Sequence, residues 1–262
     1  GGEEELTAAA AAPMLPAVLR DHPQVTAGAR FHKITALVEV GDRRTYEEKF
    51  FWADPGVFDV FSWPMTSGDP TTALVAPNSV VLTSESAQRY FGSEDPIGKT
   101  LTIEKRDMTV TGILAEIPTQ THFSFDFLGS YSTWETISGG DQFNWWGLRY
   151  YTYLRLAPEA SVDALAESIR EMPSRYVGDQ EEGSGYRQFL YLQPLSDIHL
   201  RSHYMDEIEP NGDINHVYIF SAVAIFILII ATINFMNLAT ARSAQRAREV
   251  GLRKVVGAQK GQ

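Results

Sequence analysis

Apolar positions follow different spacings in successive stretches of this 262-residue chain, and each spacing predicts an element. Residues 7–20, TAAAAAPMLPAVLR, are rich in Ala and Leu and predict a helix, with Pro13 and Pro16 as interruptions. From Val25 to Phe61, short alternations on either side of Gly41-Asp42 predict strands joined by a turn. Ser79–Phe91 predicts an apolar run entering a short helix, capped by Thr83 or Ser84 and turning Ala87, Tyr90 and Phe91 inward. Lys99 to Ile117 alternates again around Lys105-Arg106-Asp107, a charged turn between two strands. YYTYLRL at 150–156 predicts a strand, and SVDALAESIREM at 161–172 a helix capped by Ser161, with Val162, Leu165 and Ile169 on one face. Residues 173–186 are polar and Gly-rich and predict a loop; FLYLQPLSDIHL at 189–200 predicts a last strand.

The pattern then stops alternating. Val217 to Met236, VYIFSAVAIFILIIATINFM, is a twenty-residue run without a charge. At about 1.5 Å per residue it reaches roughly 30 Å, the thickness of a bilayer's hydrocarbon core. A transmembrane helix over 215–240 is predicted, with Asn234 and Asn237 where it leaves the membrane. Past it, Arg242, Arg246, Arg248, Arg253, Lys254 and Lys260 face only Glu249, which retains that end on the cytoplasmic side and places residues 1–214 outside. Ala244, Ala247 and Val250 recur at helical spacing and predict a stalk. Gly251 is expected to interrupt it, leaving Leu252, Val255 and Val256 as the apolar edge of a short helix that stops at Gly257. Such a helix suits either an interfacial anchor on lipid headgroups or docking into a groove of a cytoplasmic partner.

Charge sharpens this division. The chain carries 22 Lys+Arg and 33 Asp+Glu; 6 and 1 of these follow Val217, which leaves 16 and 32 before it. The outer part is acidic at −16 and the inner part basic at +5. An acidic outer domain argues against nucleic acid as a partner, since phosphate binding needs clustered Lys and Arg. The basic tail suits anionic lipid headgroups or an acidic protein surface. With no cysteine, disulfides, zinc-thiolate sites and cysteine nucleophiles are excluded, and the outer domain must be held by its core. Because the chain opens at Gly1 and an outer domain needs a signal peptide or an upstream span, another membrane helix is expected before it and more after Gln262.

Motifs for chemistry are weak. Gly92-Ser93-Glu94-Asp95-Pro96-Ile97-Gly98-Lys99-Thr100 resembles a phosphate-binding loop, but five residues separate its glycines where the pattern has four, and a strand follows where a helix should. Glu94 and Asp95 would repel phosphate and Pro96 removes an N–H, so a turn is the better reading. His199 and His203 are four apart, yet Pro194 and Asp197 suggest a loop and a structural role. No nucleophile signature occurs, and the carboxylates cannot be told from an acidic surface. Phe50, Phe51, Trp52, Phe58, Phe61 and Trp63, and likewise Trp145, Trp146, Tyr150, Tyr151 and Tyr153, read as core.

INFMNLATARSAQRAREVGLRKVVGA at 233–258 resembles the segment joining the second and third membrane helices of ATP-binding-cassette permeases of the MacB/FtsX-like family. WADPGVFDVFSWPMTSGDP at 52–70, VVLTSESAQRYFGSEDPIGKTLTI at 80–103 and LQPLSDIHL at 192–200 are similar to the periplasmic core domain of that family. The resemblance implies an α+β fold, with a mixed α/β porter-like subdomain, an inserted β-rich subdomain at about 45–135, one transmembrane helix and a cytoplasmic stalk over 241–262. It implies no catalytic, cofactor or metal residues; ATP and Mg would sit on a partner ATPase. The coupling role falls by position on Glu249, Val250, Gly251, Leu252, Arg253, Lys254, Val255 and Gly257. A permease dimer or internal repeat, a periplasmic adaptor or outer-membrane partner and inner-membrane location are implied with it. The cargo would be a peptide, lipoprotein or drug. Other classes predict otherwise: a sensor domain calls for a signalling module after Gln262, and a tethered hydrolase for turnover by the outer domain alone.

Overall fold

The computed structural model describes residues 5–115, 117–118, 121–178 and 186–257. The chain divides into two units, residues 1–198 with 202–211, and residues 199–201 with 212–262. Among the described residues the first unit carries nine strands: β1 (Ala10–Ala11), β2 (Val25–Val40), β3 (Arg43–Ala53), β4 (Met65–Gly68), β5 (Ser79–Thr83), β6 (Thr100–Ile103), β7 (Arg106–Leu114), β8 (Phe127–Ser130) and β9 (Leu148–Leu156). Between them lie α1 (Met14–Asp21), α2 (Val57–Val60), α3 (Ser84–Phe91) and α4 (Tyr131–Ile137); α5 (Val162–Arg170) follows β9, and a later helix at Leu195–Arg201 has its last three residues in the second unit. The second unit is dominated by one helix, Ile214–Val255.

The strand order β1-β9-β2-β3-β8-β5-β7-β4 is mixed, with β3–β8 and β5–β7 parallel and the other pairs antiparallel. β6 pairs with both β2 and β7, so β2, β3, β8, β5, β7 and β6 close into a ring. Every ring strand sends side chains into one cluster: Ala36 and Val38, Phe50 and Trp52, Phe127, Val80 and Leu82, Met108 and Val110, Leu101 and Ile103. That cluster is the ring's interior. β2 is long enough to serve two structures, because its first half pairs with β9, its second half with β6, and its register shifts between Ile34 and Ala36. The stretch at about 45–135 supplies most of the ring, while β2 joins it to β9 and β1.

Period-two alternation explains why the aromatic residues look irregular in sequence. Phe50 and Trp52 point into the ring, and Phe51 and Ala53, one residue out of phase, enter a second cluster with Phe31, Leu74, Phe123, Leu128 and the half-buried Phe61. Covered on both faces, Phe50 to Ala53 form the continuous apolar run of a doubly buried strand. A third cluster packs Met14 and Val18 of α1 against Leu165 and Ile169 of α5, together with Trp145 and Met172.

Local signals act where expected: the Thr83 hydroxyl accepts the Ser86 amide at 3.2 Å to start α3, and Ser161 does the same for Ala164 at α5. Gly41 turns β2 into β3 with φ +56, whereas the turn expected at Lys105-Arg106-Asp107 falls on Glu104 and Lys105, both at positive φ, and Arg106 and Asp107 already pair within β7. Three other expectations fail. The helix foreseen over 7–20 begins only at Met14, because Pro13 sits at its N-cap and Ala10–Ala11 pairs with β9. No strand forms over 189–200: residues 189–194 run irregularly over the third cluster through Leu190 and Leu192, and Leu195–Arg201 is helical after Pro194. The loop expected at 173–186 starts as a helical turn at 174–178, and 179–185 lie outside the described residues.

Candidate functional site in the terminal helix

Asp213 starts the terminal helix by accepting the Asn215 amide at 2.7 Å, and the helix then continues for 42 residues to Val255. None of its residues is buried, and Phe220 and Phe235 are 70% and 72% exposed. Its apolar window has a mean hydropathy of 2.5, high enough for a membrane span. Thr232 fits such a setting because its hydroxyl donates to the Leu228 carbonyl at 2.8 Å, which satisfies it within its own helix. A helix whose described residues are apolar all round over this stretch and exposed fits an apolar environment.

Seven of the eight residues assigned to coupling lie at one end of this element, and Gly257 lies just beyond it. Glu249, Val250, Gly251, Leu252, Arg253, Lys254 and Val255 are its last turns, and all are exposed. The expected break at Gly251 is absent, since the helix runs straight through it. Gly251 holds no positive φ, and a single helical glycine costs only about 1 kcal/mol relative to Ala, less than a helix loses by ending. Gly257 is the real stop: it follows the C-cap Val256 and takes φ +83, where glycine is at no disadvantage. At 100° per residue Leu252, Val255 and Val256 still share an arc of about 100°, so the amphipathic edge survives as the end of a long helix. Val255 and Val256 are 86% and 81% exposed, which leaves that edge uncovered. The Arg253 guanidinium donates to Glu249 Oε1 at 2.9 Å across one turn, an exposed pair worth about 0.3–0.5 kcal/mol. Arg253 and Lys254 also meet the negative end of the helix dipole. Lys260 lies outside the described residues.

Elsewhere the structure gathers side chains for packing. Gly92 and Gly98 make turns at φ +62 and +76 between α3 and β6, and Lys99 pairs with Glu94, so the phosphate-loop resemblance is a connector. His199 lies in the Leu195–Arg201 helix and His203 beyond its end. Among the described residues no group of three or more His, Asp or Glu is placed to hold a metal. Spacing gave no sign of Arg30, 6% exposed in its side chain, whose guanidinium donates to both Asp54 oxygens at 2.8 Å and to the Ala12 carbonyl at 2.9 Å. It lies 3.8 Å over the Tyr131 ring, and burial pushes that phenol well above its ordinary value. This cluster fastens β2 and α4 to the residue after β3 and to the segment leading into α1.

With this geometry in view, comparison with known proteins is informative. Residues 3–172 match the MacB-like periplasmic core domain. The macrolide export ATP-binding/permease protein MacB of Aggregatibacter actinomycetemcomitans is 22% identical over 231 residues, covering 86% of this chain and 32% of that protein. The chain thus spans about a third of that relative. A domain described as a permease protein of Porphyromonas gingivalis shares the fold with TM-score 0.55 and 20% identity over 73% of this chain and 84% of that one. The periplasmic region of MacB from Actinobacillus actinomycetemcomitans gives 0.52 and 18% over 70% and 78%. The extracellular domain of the ABC-type transporter YknZ from Gram-positive bacteria gives 0.50 and 15% over 71% and 90%. An α+β domain with these relatives, joined to one long apolar helix, belongs to the MacB-like periplasmic core domain family of ABC-transporter permeases.

Proposed function

We propose that the chain transmits ATPase-driven motion across the inner membrane to a periplasmic domain. One observation carries this reading: the terminal helix is continuous over 42 residues, roughly 63 Å at about 1.5 Å per residue, twice a bilayer's hydrocarbon core. The surplus length leaves several turns to project beyond the membrane, and those turns hold the basic residues. An unbroken helix passes on displacement and rotation without dissipating them at a joint. By the positive-inside rule residues 1–214 are periplasmic and those after about 240 cytoplasmic.

In this reading Leu252, Val255 and the flanking Glu249, Val250, Gly251, Arg253, Lys254 and Gly257 dock into a groove of an ABC ATPase, which carries ATP and Mg. The relative named for both ATP binding and permease unites the two in one protein, so the test uses the complete transporter however its ATPase is attached. A permease dimer or internal repeat, surrounding lipid and a periplasmic adaptor or outer-membrane partner complete the assembly. Export or extraction of a peptide, lipoprotein or drug is the task. The test is ATPase activity and retention of the ATPase by the full-length permease. Leu252→Asp with Arg253→Glu and Lys254→Glu is expected to abolish permease-dependent stimulation; stimulation equal to the parent's would contradict the docking assignment.

A further inference from the structure

After the Leu195–Arg201 helix the chain crosses the first unit as a strap, residues 202–211, before Gly212 leads toward the terminal helix. A passive connector is ordinarily exposed and poor in contacts. This one is fastened repeatedly. Met205 forms a parallel bridge with Thr7: the Ala8 amide donates to the Met205 carbonyl at 2.9 Å, and the Met205 amide to the Leu6 carbonyl at 2.9 Å. Asp206, at φ +54, turns the chain, and the Thr7 hydroxyl donates to its carboxylate at 3.4 Å. Inside that turn the buried Ser202 hydroxyl donates to Glu207, which also accepts the Tyr204 amide at 3.3 Å.

Two anchors then follow in succession. Ile208, 4% exposed, joins the second cluster beside Phe31, Phe51 and Phe123, and the Lys33 ammonium donates to its carbonyl at 3.1 Å. Glu209 Oε1 accepts the Ser124 amide at 2.9 Å and the Ser124 hydroxyl at 2.8 Å. Hydrogen bonds to a charged acceptor are the stronger kind, and Ile208 adds apolar burial next to them. Only Pro210, Asn211, Gly212 and Asp213 separate Glu209 from Ile214, the first residue of the terminal helix. At no more than about 3.5 Å per residue that tether is short, and Pro210 fixes one of its backbone angles.

We infer that Ser202–Glu209 is a clasp through which displacement of the terminal helix enters the sheet, with Ile208 and Glu209 as its force-bearing positions and Thr7–Ala8 as the point where the incoming segment is gripped. The inference rests on the transmission role proposed above. Pulling on Ile214 loads the Gly212 amide bonded to the His199 carbonyl and the Asn211 side-chain amide bonded to the Ser202 carbonyl, and then Glu209. Ser124 and the second cluster then pass the load to β2 and β3, whose Phe31 and Phe51 share that cluster with Ile208. Ile208 and Glu209 are positioning residues and touch no substrate.

The experiment is amide hydrogen exchange on the full-length transporter with its ATPase, with and without ATP, in the parent and in Ile208→Ala/Glu209→Ala. In the parent, ATP is expected to change exchange at Ser124 and along β2 and β3. In the double variant Ser124 is expected to exchange about tenfold faster or more without nucleotide, from loss of a charge-assisted bond, and the ATP response of β2 and β3 to vanish. Exchange at Leu165 in α5 stays at the parent's level, because the third cluster contains none of these residues. Glu209→Gln keeps an oxygen acceptor and is expected to keep the ATP response. These 262 residues hold no cysteine, so in a transporter whose other cysteines are replaced, oxidising Ser124→Cys/Glu209→Cys links that pair and is expected to retain the response as well. A parent-like response of β2 and β3 in Ile208→Ala/Glu209→Ala, or its loss from the oxidised pair, overturns the clasp. No ATP response anywhere in the parent's outer domain overturns the transmission role itself.

Discussion

The two units hold their apolar residues in opposite ways. In the first, three clusters enclose them, and Phe50, Phe51 and Trp52 are at most 1% exposed. In the terminal helix no residue is buried, and Ile225, Phe226 and Leu228 are 59%, 65% and 66% exposed. Similar side chains therefore do different work: those of the sheet are satisfied by their own chain, and those of the helix require a bilayer or another protein. The first unit carries its stability within itself. The helix takes its stability from what surrounds it and contributes length and continuity.

The largest effect that would sharpen this contrast is Trp52→Ala, expected to cost the outer domain about 3–5 kcal/mol by emptying the ring. Phe226→Ala should leave the outer domain's unfolding transition within about 0.5 kcal/mol of the parent's. Chemical unfolding in detergent, followed by near-ultraviolet circular dichroism, reads both, and equal losses would erase the distinction. Next is Asp54→Ala, which leaves the buried Arg30 cation only the Ala12 carbonyl, the Tyr131 ring and Glu135 at 4.0 Å and should cost about 3–5 kcal/mol; a loss below about 1 kcal/mol would mean water reaches that guanidinium.

Smaller changes probe the helix and the ring's rim. Gly251→Ala meets nothing within 4 Å, so in a peptide covering 238–257 it should raise helicity by the equivalent of about 1 kcal/mol, read by circular dichroism; unchanged or lower helicity would restore a hinge there. Burial, helped by its hydrogen bond to Glu47, pushes the Tyr90 phenol up to about 12. Because the folded state keeps this proton to higher pH than the unfolded chain does, its contribution is complete below about pH 10 and is lost as pH rises toward 12. Tyr131 and Tyr153, also raised by burial, act in the same direction. Tyr90→Phe is expected to flatten part of that decline in unfolding curves recorded between pH 9 and 12; an unaltered slope would contradict the assignment.

What could be read from the sequence follows from the range of each signal. The Thr83 and Ser161 caps, the Gly41 turn and the apolar run at 217–236 are local, and they stand where their residue types put them. The failures depend on partners far along the chain. FLYLQ at 189–193 alternates like a strand, yet among the described residues no strand pairs with it, and its leucines pack on the third cluster instead. The ring closure depends on β6 meeting β2 some sixty residues earlier, and the Arg30–Asp54 pair and the Ser202–Glu209 clasp arise from contacts that no spacing rule encodes. At the candidate coupling site Gly257 acts as the stop that its position suggested, whereas Gly251 does not interrupt the helix. A glycine marks a break only where the backbone needs a positive φ. The proposed partner surface is legible only as the exposed edge of Leu252, Val255 and Val256, since the proposal places its complement in another domain or chain.

The most direct test of transmission is the ATP-dependent distance between one label on β9 and a second on the cytoplasmic side of the full-length transporter, compared between the parent and Ala247→Pro. Proline in a helix interior removes a hydrogen bond and kinks the helix at a cost of about 3 kcal/mol or more, here at a position past the apolar run. The account predicts an ATP-driven distance change in the parent that falls to nothing in Ala247→Pro while the ATPase stays bound. The same change in both proteins would contradict it.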